Sequence, residues 1–298
     1  MSDMKIAFIG LGAIGQPMAR NIAEKGFELA VWTRNSAKGS AFASQHNARL
    51  ASSPRDAAAG ADVVITCLPS SVEVEEVVNG GVLASMRKGS LLLDCTSGDP
   101  EVSQRLAAQL AEKGCAFVDA PVSGGVVGAE AGKLTVMCGG DIPDFERARP
   151  VMAAFGEKIV HCGPVGAGHA VKALNQMLLA LHIWTTGEAL AALVRYGVNP
   201  ARALEVINGS SGRSNSSMNL IPERVLTRAF PRTFRLALLD KDVRIGARIL
   251  EKQGIDSPIF EEVERLMAEA HAELGEEADH VEAIRVLERI VGVEIKAT

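Results

Sequence analysis

The chain has 298 residues, 47% of them hydrophobic and 22% charged, which is enough for two globular domains. Its 31 basic and 36 acidic side chains give a net charge of -5, and this lack of basic excess argues against a protein that coats nucleic acid. With 29 glycines and only 4% aromatic residues, the composition indicates a backbone that closely approaches another molecule.

Five cysteines are scattered without a C-x-x-C pair, which argues against a zinc ribbon or a thioredoxin-like motif. We expect free thiols, no metal and a cytoplasmic protein. The N-terminus leads directly into an apolar strand and shows no secretory signal pattern. The apolar stretch from residue 173 to 194 is interrupted by polar residues, so we predict a buried helix and no membrane contact.

The first half of the chain alternates β-rich and helical runs, which is typical of βαβ units with a largely parallel sheet. The predicted strands are 5–9, 28–32, 62–68, 90–94, 116–119, 134–138 and 158–162. The predicted helices between them are 16–25, 54–59, 72–78, 101–113 and 145–155. The expected fold class is therefore α/β, with an N-terminal Rossmann-type doubly wound domain.

Strand patterns end after Gly168, and the remaining sequence predicts helices at 170–196, 200–207, 221–227, 241–252, 257–273 and 278–290. The Gly- and Pro-rich stretch 163–168 separates the two halves. We predict a dinucleotide-binding domain over residues 1–164 and an all-helical domain for substrate binding and dimerisation over residues 165–298. The long helix at 170–196 joins them.

A G-x-G-x-x-G motif, Gly10-Leu11-Gly12-Ala13-Ile14-Gly15, follows the first strand and opens a helix. Its three glycines suit a tight turn, a close approach to a pyrophosphate and close helix–strand packing, respectively. The helix N-terminus offers free N–H groups to the phosphates. The alternative is a glycine-rich turn without a ligand. The phosphate-loop pattern G-x-x-x-x-G-K-[ST] is absent, since Leu134 follows Gly132-Lys133.

The second strand is followed by Thr33, Arg34 and Asn35, with no carboxylate to hold the ribose hydroxyl of NAD. The planar guanidinium of Arg34 suits a phosphate dianion, so we predict NADP(H) in preference to NAD(H). Alternatively, Arg34 only stacks on the adenine. We also place Leu68 and Pro69, where the strand 62–68 ends, in the cofactor site.

Lys172, Asn175 and Gln176 share one face of the long helix, because they stand at i, i+3 and i+4. The surrounding residues are mostly alanine and leucine, and burying an unpaired ammonium is costly. Desolvation lowers the pKa of a buried lysine, which suits Lys172 to acid/base catalysis. The alternative is a lysine that extends to solvent from a helix end.

The turn after the strand 116–119 carries Ser123, Gly124 and Gly125. A hydroxyl and successive backbone N–H groups can bind a carboxylate, although the residues also fit an ordinary turn. The serine-rich segment 210–217 is either a substrate cap, in which Arg213 meets a second anionic group, or a flexible linker.

Four blocks of the sequence resemble the β-hydroxyacid dehydrogenase family, which includes 3-hydroxyisobutyrate dehydrogenase and tartronate semialdehyde reductase. They are the glycine motif, residues 119–125, residues 166–176 and Lys241-Asp242. The resemblance implies that Lys172 is the catalytic acid/base and that Asn175 positions the substrate. It also implies that Lys241 lies near the nicotinamide. The remaining implied contacts are Ser123, Gly124 and Gly125 for the substrate, and Thr96 and Ser97 for the cofactor. We also assign Gln176, on the helix face of Lys172, to the substrate.

The sequence departs from the family pattern at Gln176, Ala237 and Asp240, which leaves the substrate open. The expected reaction is hydride transfer between NADP(H) and a small carboxylate-bearing β-hydroxy acid or its semialdehyde. Alternatives are an imine reductase or sugar-acid dehydrogenase of the same superfamily, or a dinucleotide-binding sensor without turnover. The apolar long helix suggests a homodimer or homotetramer.

Overall fold

The computed structural model describes residues 4–297 of the chain. Contacts divide the chain into two compact units, the first ending at Lys172 and the second starting at Ala173. This division lies within the long helix that begins at Ala167, so the domain boundary between residues 164 and 165 stays a prediction.

The first unit is built on one twisted sheet. Its strands are β1 (Lys5–Ile9), β2 (Glu28–Trp32), β3 (Arg49–Leu50), β4 (Val63–Thr66), β5 (Leu91–Asp94), β6 (Ala116–Asp119), β7 (Val122–Ser123), β8 (Leu134–Gly139) and β9 (Gly156–Gly163). The order β3-β2-β1-β4-β5-β6 is parallel throughout, whereas β6 and β7 both pair antiparallel with β8. Strand β9 pairs parallel with β8. The predicted Rossmann-type doubly wound sheet is confirmed.

Helices cover both faces of this sheet. They are α1 (Gly15–Glu24), α2 (Ser36–His46), α3 (Pro54–Ala58), α4 (Ser71–Val77), α5 (Leu83–Ser85), α6 (Pro100–Glu112), α7 (Gly125–Glu130) and α8 (Ile142–Met152). Alternate residues of β1 belong to two separate cores, with Ile6 and Phe8 in one and Ala7 and Ile9 in the other. Because side chains alternate across a strand, continuous apolar runs such as β1 are expected in a sheet buried on both faces.

Four elements of the first unit do not stand out in the sequence. Strands β3 and β7 have two residues each, which is too short for an alternating pattern. Helix α2 buries only Gly39 and Phe42, so its apolar stripe is weak. Helix α7 has the sequence Gly-Val-Val-Gly-Ala-Glu, and its two glycines disfavour a helix prediction.

The second unit is helical, as predicted. It contains the long helix α9 (Ala167–Arg195) from Ala173 onwards, followed by α10 (Pro200–Asn208), α11 (Leu236–Lys252), α12 (Pro258–Leu274) and α13 (Ala283–Val291). A π-helical stretch at Ser216–Val225 replaces the predicted helix 221–227, and it includes Pro222, which lacks the N–H of a regular helix. A 3-10 turn at His280–Glu282 leads into α13.

Helix α9 is long and apolar enough to cross a bilayer by length and composition alone, a test that core helices of soluble proteins also pass. Its residues Met177, Ile183 and Leu190 are fully buried in the helical core. A side chain at Gly246 of α11 would put its Cβ 2.3 Å from the Met177 sulfur, so the two helices pack at close range here. These contacts favour the prediction of a core helix.

All five cysteines are free thiols, and Cys95, Cys115 and Cys138 are buried. Burial raises the pKa of the Cys138 thiol to about 12, which keeps it protonated and a poor nucleophile. Within residues 4–297, no three His, Cys, Asp or Glu side chains come together as a metal site.

Candidate active site

The glycine motif forms a tight loop between β1 and α1. A Cβ at Gly10 would lie 2.3 Å from the carbonyl oxygen of Cys67, and one at Gly15 would lie 2.1 Å from the carbonyl oxygen of Gly10. Gly10 also has a φ of 110°, which disfavours any residue with a side chain. At Gly12, by contrast, a Cβ would meet no atom within 4 Å, so this part of the loop faces open space. The loop therefore has the shape that a pyrophosphate requires.

The loop lies where the strand order reverses, between β1 and β4. Gly10 N–H donates to the Trp32 carbonyl at the end of β2, over 2.9 Å. On the other side, Leu68 N–H donates to Thr96 Oγ1 over 3.1 Å, which joins the segments after β4 and β5. Ligands of doubly wound sheets bind at this switch point, outside the carboxyl ends of the strands. The predicted cofactor residues of the first unit therefore follow β1, β2, β4 and β5, at the carboxyl ends of these parallel strands.

The predicted cofactor-selecting residues follow β2 directly. Arg34 is exposed and Asn35 accepts a hydrogen bond from Lys38 N–H, so Asn35 caps helix α2. Thr33 is half-buried. The cap fixes the turn from which the Arg34 guanidinium extends toward solvent.

Thr96 and Ser97, two further predicted cofactor contacts, differ in exposure. Thr96 is buried and Ser97 is half-buried. Asp94 Oδ1 at the end of β5 accepts hydrogen bonds from Thr66 Oγ1 and from Thr96 N–H, over 2.8 and 3.1 Å. The Asp94 carboxylate therefore holds the ends of β4 and β5 together, and Ser97 is more accessible than Thr96.

The predicted carboxylate-binding turn begins at β7 and ends in α7. Ser123 is half-buried and lies in register with Thr135 of β8. Gly124 has a φ of 137° and Gly125 a φ of 63°, and both are exposed. Backbone N–H groups of turns can bind anions, so this exposed turn stays a candidate for the carboxylate.

Lys172 lies in the second turn of α9, and its side chain is buried with 8% exposure. The start of this helix is held by Asp119, the last residue of β6. Its two carboxylate oxygens accept hydrogen bonds from Gly166 N–H and His169 N–H, over 2.7 and 2.9 Å. A carboxylate at a helix N-terminus is favoured by the helix dipole.

The second unit contains a chain of polar contacts between α9 and α11. Asn175 Nδ2 donates to Gln176 Oε1 over 3.3 Å, and Gln176 Nε2 donates to Asp242 Oδ2, also over 3.3 Å. Asp242 Oδ1 lies 3.1 Å from Lys241 Nζ. Asn175 is exposed, whereas Gln176 is buried. The structure thus brings together three residues that the sequence assigned to substrate and cofactor, with Asp242 as the link.

The serine-rich segment before the π-helical stretch is tied down by its own hydrogen bonds. Ser214 N–H donates to Ser217 Oγ, and Ser217 N–H donates to Ser214 Oγ. Asn208 Nδ2 also donates to the Ser217 carbonyl. These bonds give the segment a fixed turn, and Arg213 is exposed beside it.

The sequence did not predict roles for four residues that hold the site by hydrogen bonds. They are His169, Ser103, Asp94 and Asp119. A usable signal was present, because an aspartate closes each of the apolar strands β5 and β6. Buried carboxylates need hydrogen-bond donors, so a partner for each was to be expected.

A doubly wound sheet with a glycine loop at its switch point is typical of a dinucleotide-binding domain. Residues 5–163 match the family model described as the NAD binding domain of 6-phosphogluconate dehydrogenase. Residues 166–287 match the model described as NAD-binding of NADP-dependent 3-hydroxyisobutyrate dehydrogenase. The chain belongs to the β-hydroxyacid dehydrogenase family, and it is an NAD(P)-dependent enzyme of that class.

Two curated relatives and one solved structure illustrate the similarity. The chain is 35% identical to 2-(hydroxymethyl)glutarate dehydrogenase of Eubacterium barkeri over 98% of both chains. It is 40% identical to the mitochondrial 3-hydroxyisobutyrate dehydrogenase of Homo sapiens, over 74% of this chain and 67% of that protein. The structure of Mycobacterium tuberculosis 3-hydroxyisobutyrate dehydrogenase with L-serine superposes with a TM-score of 0.88 at 30% identity, covering 96% of this chain and 99% of the other.

Proposed function

We propose that this enzyme uses NADP(H) to interconvert a small β-hydroxy acid and its semialdehyde or keto acid, with Lys172 as the general acid/base. The observation that carries the proposal is the buried Lys172 on a helix whose start is fixed by Asp119. Lysine is among the residue types least often buried, because removing its charge from water is costly. The family membership supports the reaction class.

The shape of the glycine loop fits a nicotinamide dinucleotide, which when bound supplies or accepts the hydride. In the reducing direction, the protonated Nζ of Lys172 donates a proton to the oxygen of the substrate carbonyl as negative charge develops there. In the oxidising direction, the neutral amine removes the proton from the hydroxyl group. Backbone N–H groups near Gly124 and Gly125, with the Ser123 hydroxyl, orient the substrate carboxylate.

A substrate panel tests this proposal. It contains glyoxylate, succinic semialdehyde, tartronate semialdehyde, 3-hydroxyisobutyrate, 2-(hydroxymethyl)glutarate and cyclic imines, each with both cofactors. Turnover of at least one carboxylate-bearing compound is the expected result, since the names of the relatives point to such acids. Turnover confined to imines, or cofactor binding without any turnover, contradicts the proposal.

Replacing Arg34 with alanine is expected to weaken NADPH binding by about 10- to 100-fold and to leave NADH binding nearly unchanged. The guanidinium would lose about 1.5–3 kcal/mol of charge-assisted hydrogen bonding to the 2′-phosphate. Fluorescence titration with both cofactors measures the change. Lys25→Ala, which removes an exposed cation at the other end of α1, is the matched control. Equal losses for NADPH and NADH would show that Arg34 only stacks on the adenine.

We propose that the enzyme is a homodimer or homotetramer that associates through its helical unit. A groove of about 890 Å³ lies among α9, α12 and α13 and is lined mainly by apolar side chains, including Leu181 and Trp184. Ile259 and Ile290 on its walls are 65% and 63% exposed. Exposed apolar patches of this kind are typical of protein interfaces.

Sedimentation at micromolar concentration tests this association. We expect a dimer or tetramer for the natural sequence and a lower mass for Ile290→Lys, which puts a charge into the groove. A natural sequence that sediments as a monomer rules the proposal out. Val206→Lys, at a residue 69% exposed and outside the groove lining, is the control.

A further inference from the structure

The imidazole of His169 is completely buried in the first unit and uses both of its ring nitrogens. Nε2 lies 2.8 Å from the carbonyl oxygen of Thr96, and Nδ1 lies 2.7 Å from Ser103 Oγ. Thr96 belongs to the segment after β5, and Ser103 to the first turn of α6. The ring therefore connects the beginning of α9 to two other segments, which both follow the carboxyl end of β5.

The hydrogen-bond partners of His169 show that Nε2 carries a hydrogen. A carbonyl oxygen can only accept, so Nε2 carries a hydrogen and donates it to Thr96. In the neutral ring, Nδ1 accepts the hydrogen of the Ser103 hydroxyl. Rotation of the ring would leave a buried carbonyl and a buried hydroxyl without these bonds, which is costly. The orientation of His169 is therefore fixed.

Contacts on both sides leave the ring little room. A Cβ at Gly98 would lie 2.9 Å from His169 Cε1, so the turn before α6 rests directly against the imidazole. A Cβ at Gly168 would lie 2.2 Å from the Met137 carbonyl oxygen and 2.8 Å from Asp119 Oδ2. The first turn of α9 can thus approach both β8 and Asp119 only because residue 168 is glycine.

Asp119 also holds the first turn of α9, through hydrogen bonds from backbone N–H groups. Burial raises the pKa of its carboxyl group, while His169 and the N–H groups of Gly166 and His169 act in the opposite direction. The same residue, His169, therefore binds Asp119 through its backbone and Thr96 through its ring. Lys172 stands one turn further along the helix, at i+3 from His169.

We propose that His169 is a positioning residue that ties the segment Asp94–Pro100 to the first turn of α9 and so sets the place of the Lys172 side chain. The inference rests on the proposed function in that it treats Lys172 as the acid/base. His169 itself does not touch substrate or cofactor, since its ring is sealed among protein atoms. Its removal should therefore lower catalysis without abolishing cofactor binding.

Three variants test the proposal. His169→Leu removes both ring hydrogen bonds and is expected to lower kcat about 100-fold, since a displacement of about 1 Å can cost this much. KM should stay within about threefold, because the loss falls on the transition state. His169→Gln keeps a donor for the Thr96 carbonyl and should recover kcat to within about 10-fold of the natural enzyme. Ser103→Ala removes the Nδ1 bond and the longer contact of Ser103 Oγ with the Asp99 carbonyl oxygen, at 3.3 Å, and should cost about threefold.

The matched control is His161→Leu. His161 also bonds a backbone carbonyl through Nε2, to Gly140 over 2.7 Å, but it lies on β9. We expect its kcat to remain within about twofold of the natural value. If His169→Leu keeps the natural kcat and loses only thermal stability, the positioning role is wrong. Should His169→Leu fail to fold, an unchanged kcat in Ser103→Ala has the same meaning.

Amide hydrogen exchange tests the attachment independently of turnover. Exchange over residues 95–99 and 166–172 should become at least about tenfold faster in His169→Leu or, if that variant does not fold, detectably faster in His169→Gln. It should not change in His161→Leu. Unchanged protection of these segments overturns the proposal, whether or not the natural enzyme acts on any compound of the substrate panel. Absence of turnover in the natural enzyme would instead count against the proposed function.

Discussion

Lys172→Ala is expected to lower kcat by about 10²–10⁴-fold, which is the usual contribution of general acid–base catalysis. NADPH should still bind, because the glycine loop and Arg34 that are proposed to hold it remain intact. Steady-state kinetics on the best substrate of the panel measures the first effect, and fluorescence titration with NADPH measures the second. The pH profile is informative too, since the limb that reports the acid/base should disappear.

Lys172→Arg and Lys113→Ala sharpen this experiment. Arginine retains the positive charge but cannot release a proton in the working pH range, so it should restore little activity. Lys113 is an exposed lysine at the end of α6, and its replacement should leave kcat unchanged. A Lys172→Ala enzyme with near-natural kcat would remove Lys172 from the chemistry.

Asp279→Ala is expected to destabilise the protein by about 3–5 kcal/mol, the range found when one partner of a buried charged network is removed. Asp279 is completely buried, and its Oδ2 accepts hydrogen bonds from Thr233 N–H, Thr233 Oγ1 and Phe234 N–H. Its Oδ1 accepts from Val281 N–H and lies 3.0 Å from His280 Nδ1. The alanine variant leaves these donors without their acceptor, among them the N–H of the fully buried Val281. Urea unfolding followed by circular dichroism measures the loss.

The stabilisation by Asp279 should depend on pH. Burial acts to raise the pKa of this carboxyl group, but the hydrogen bonds from His280, Phe234 and Thr233 outweigh burial and hold the pKa well below its usual value. An unfolded aspartate titrates near pH ~3.9, so the stabilisation is fully present above about pH 5 and declines as the pH falls below it. The difference in unfolding free energy between natural protein and Asp279→Ala should therefore shrink in acid.

Asp141→Ala is the control for this prediction. Asp141 also precedes a helix, α8, but its side chain is exposed and makes no capping hydrogen bond. Its replacement should change the unfolding free energy by no more than about 0.5 kcal/mol. A loss below about 1 kcal/mol for Asp279→Ala, or one that does not vary between pH 7 and pH 3, would contradict the assignment.

Much of the fold could be predicted because its signals are local. The apolar runs of β1, β4 and β5 stop at glycine, proline or polar residues, and the glycine motif links β1 to α1 within a few positions. The π-helical stretch Ser216–Val225 could not be predicted, because its wide turns have no distinctive periodicity. The sequence of α2 likewise does not predict a helix, because most of that helix faces solvent and its apolar stripe is weak.

The candidate site was predictable only in part. Lys172 and the glycines are conspicuous because their types are unusual for their surroundings. The roles of His169 and Asp242 depend on partners far along the chain, at Thr96 and Gln176, and no local pattern connects such pairs. Sequence spacing therefore named groups that could act on a substrate, whereas the contacts that hold these groups required the structure.

The two outer strands of the sheet also bear on whether a strand of another chain can pair with them. An unpaired strand edge is a template on which another chain can add a strand, and natural proteins blunt such edges with short strands or charged side chains. Strand β3 ends one side after two residues, and β9 on the other side exposes Glu157 and Lys158. Both edge strands therefore disfavour pairing with a strand of another chain, which is the first step of β-sheet aggregation. We expect a concentrated solution of this enzyme to form few β-sheet fibrils.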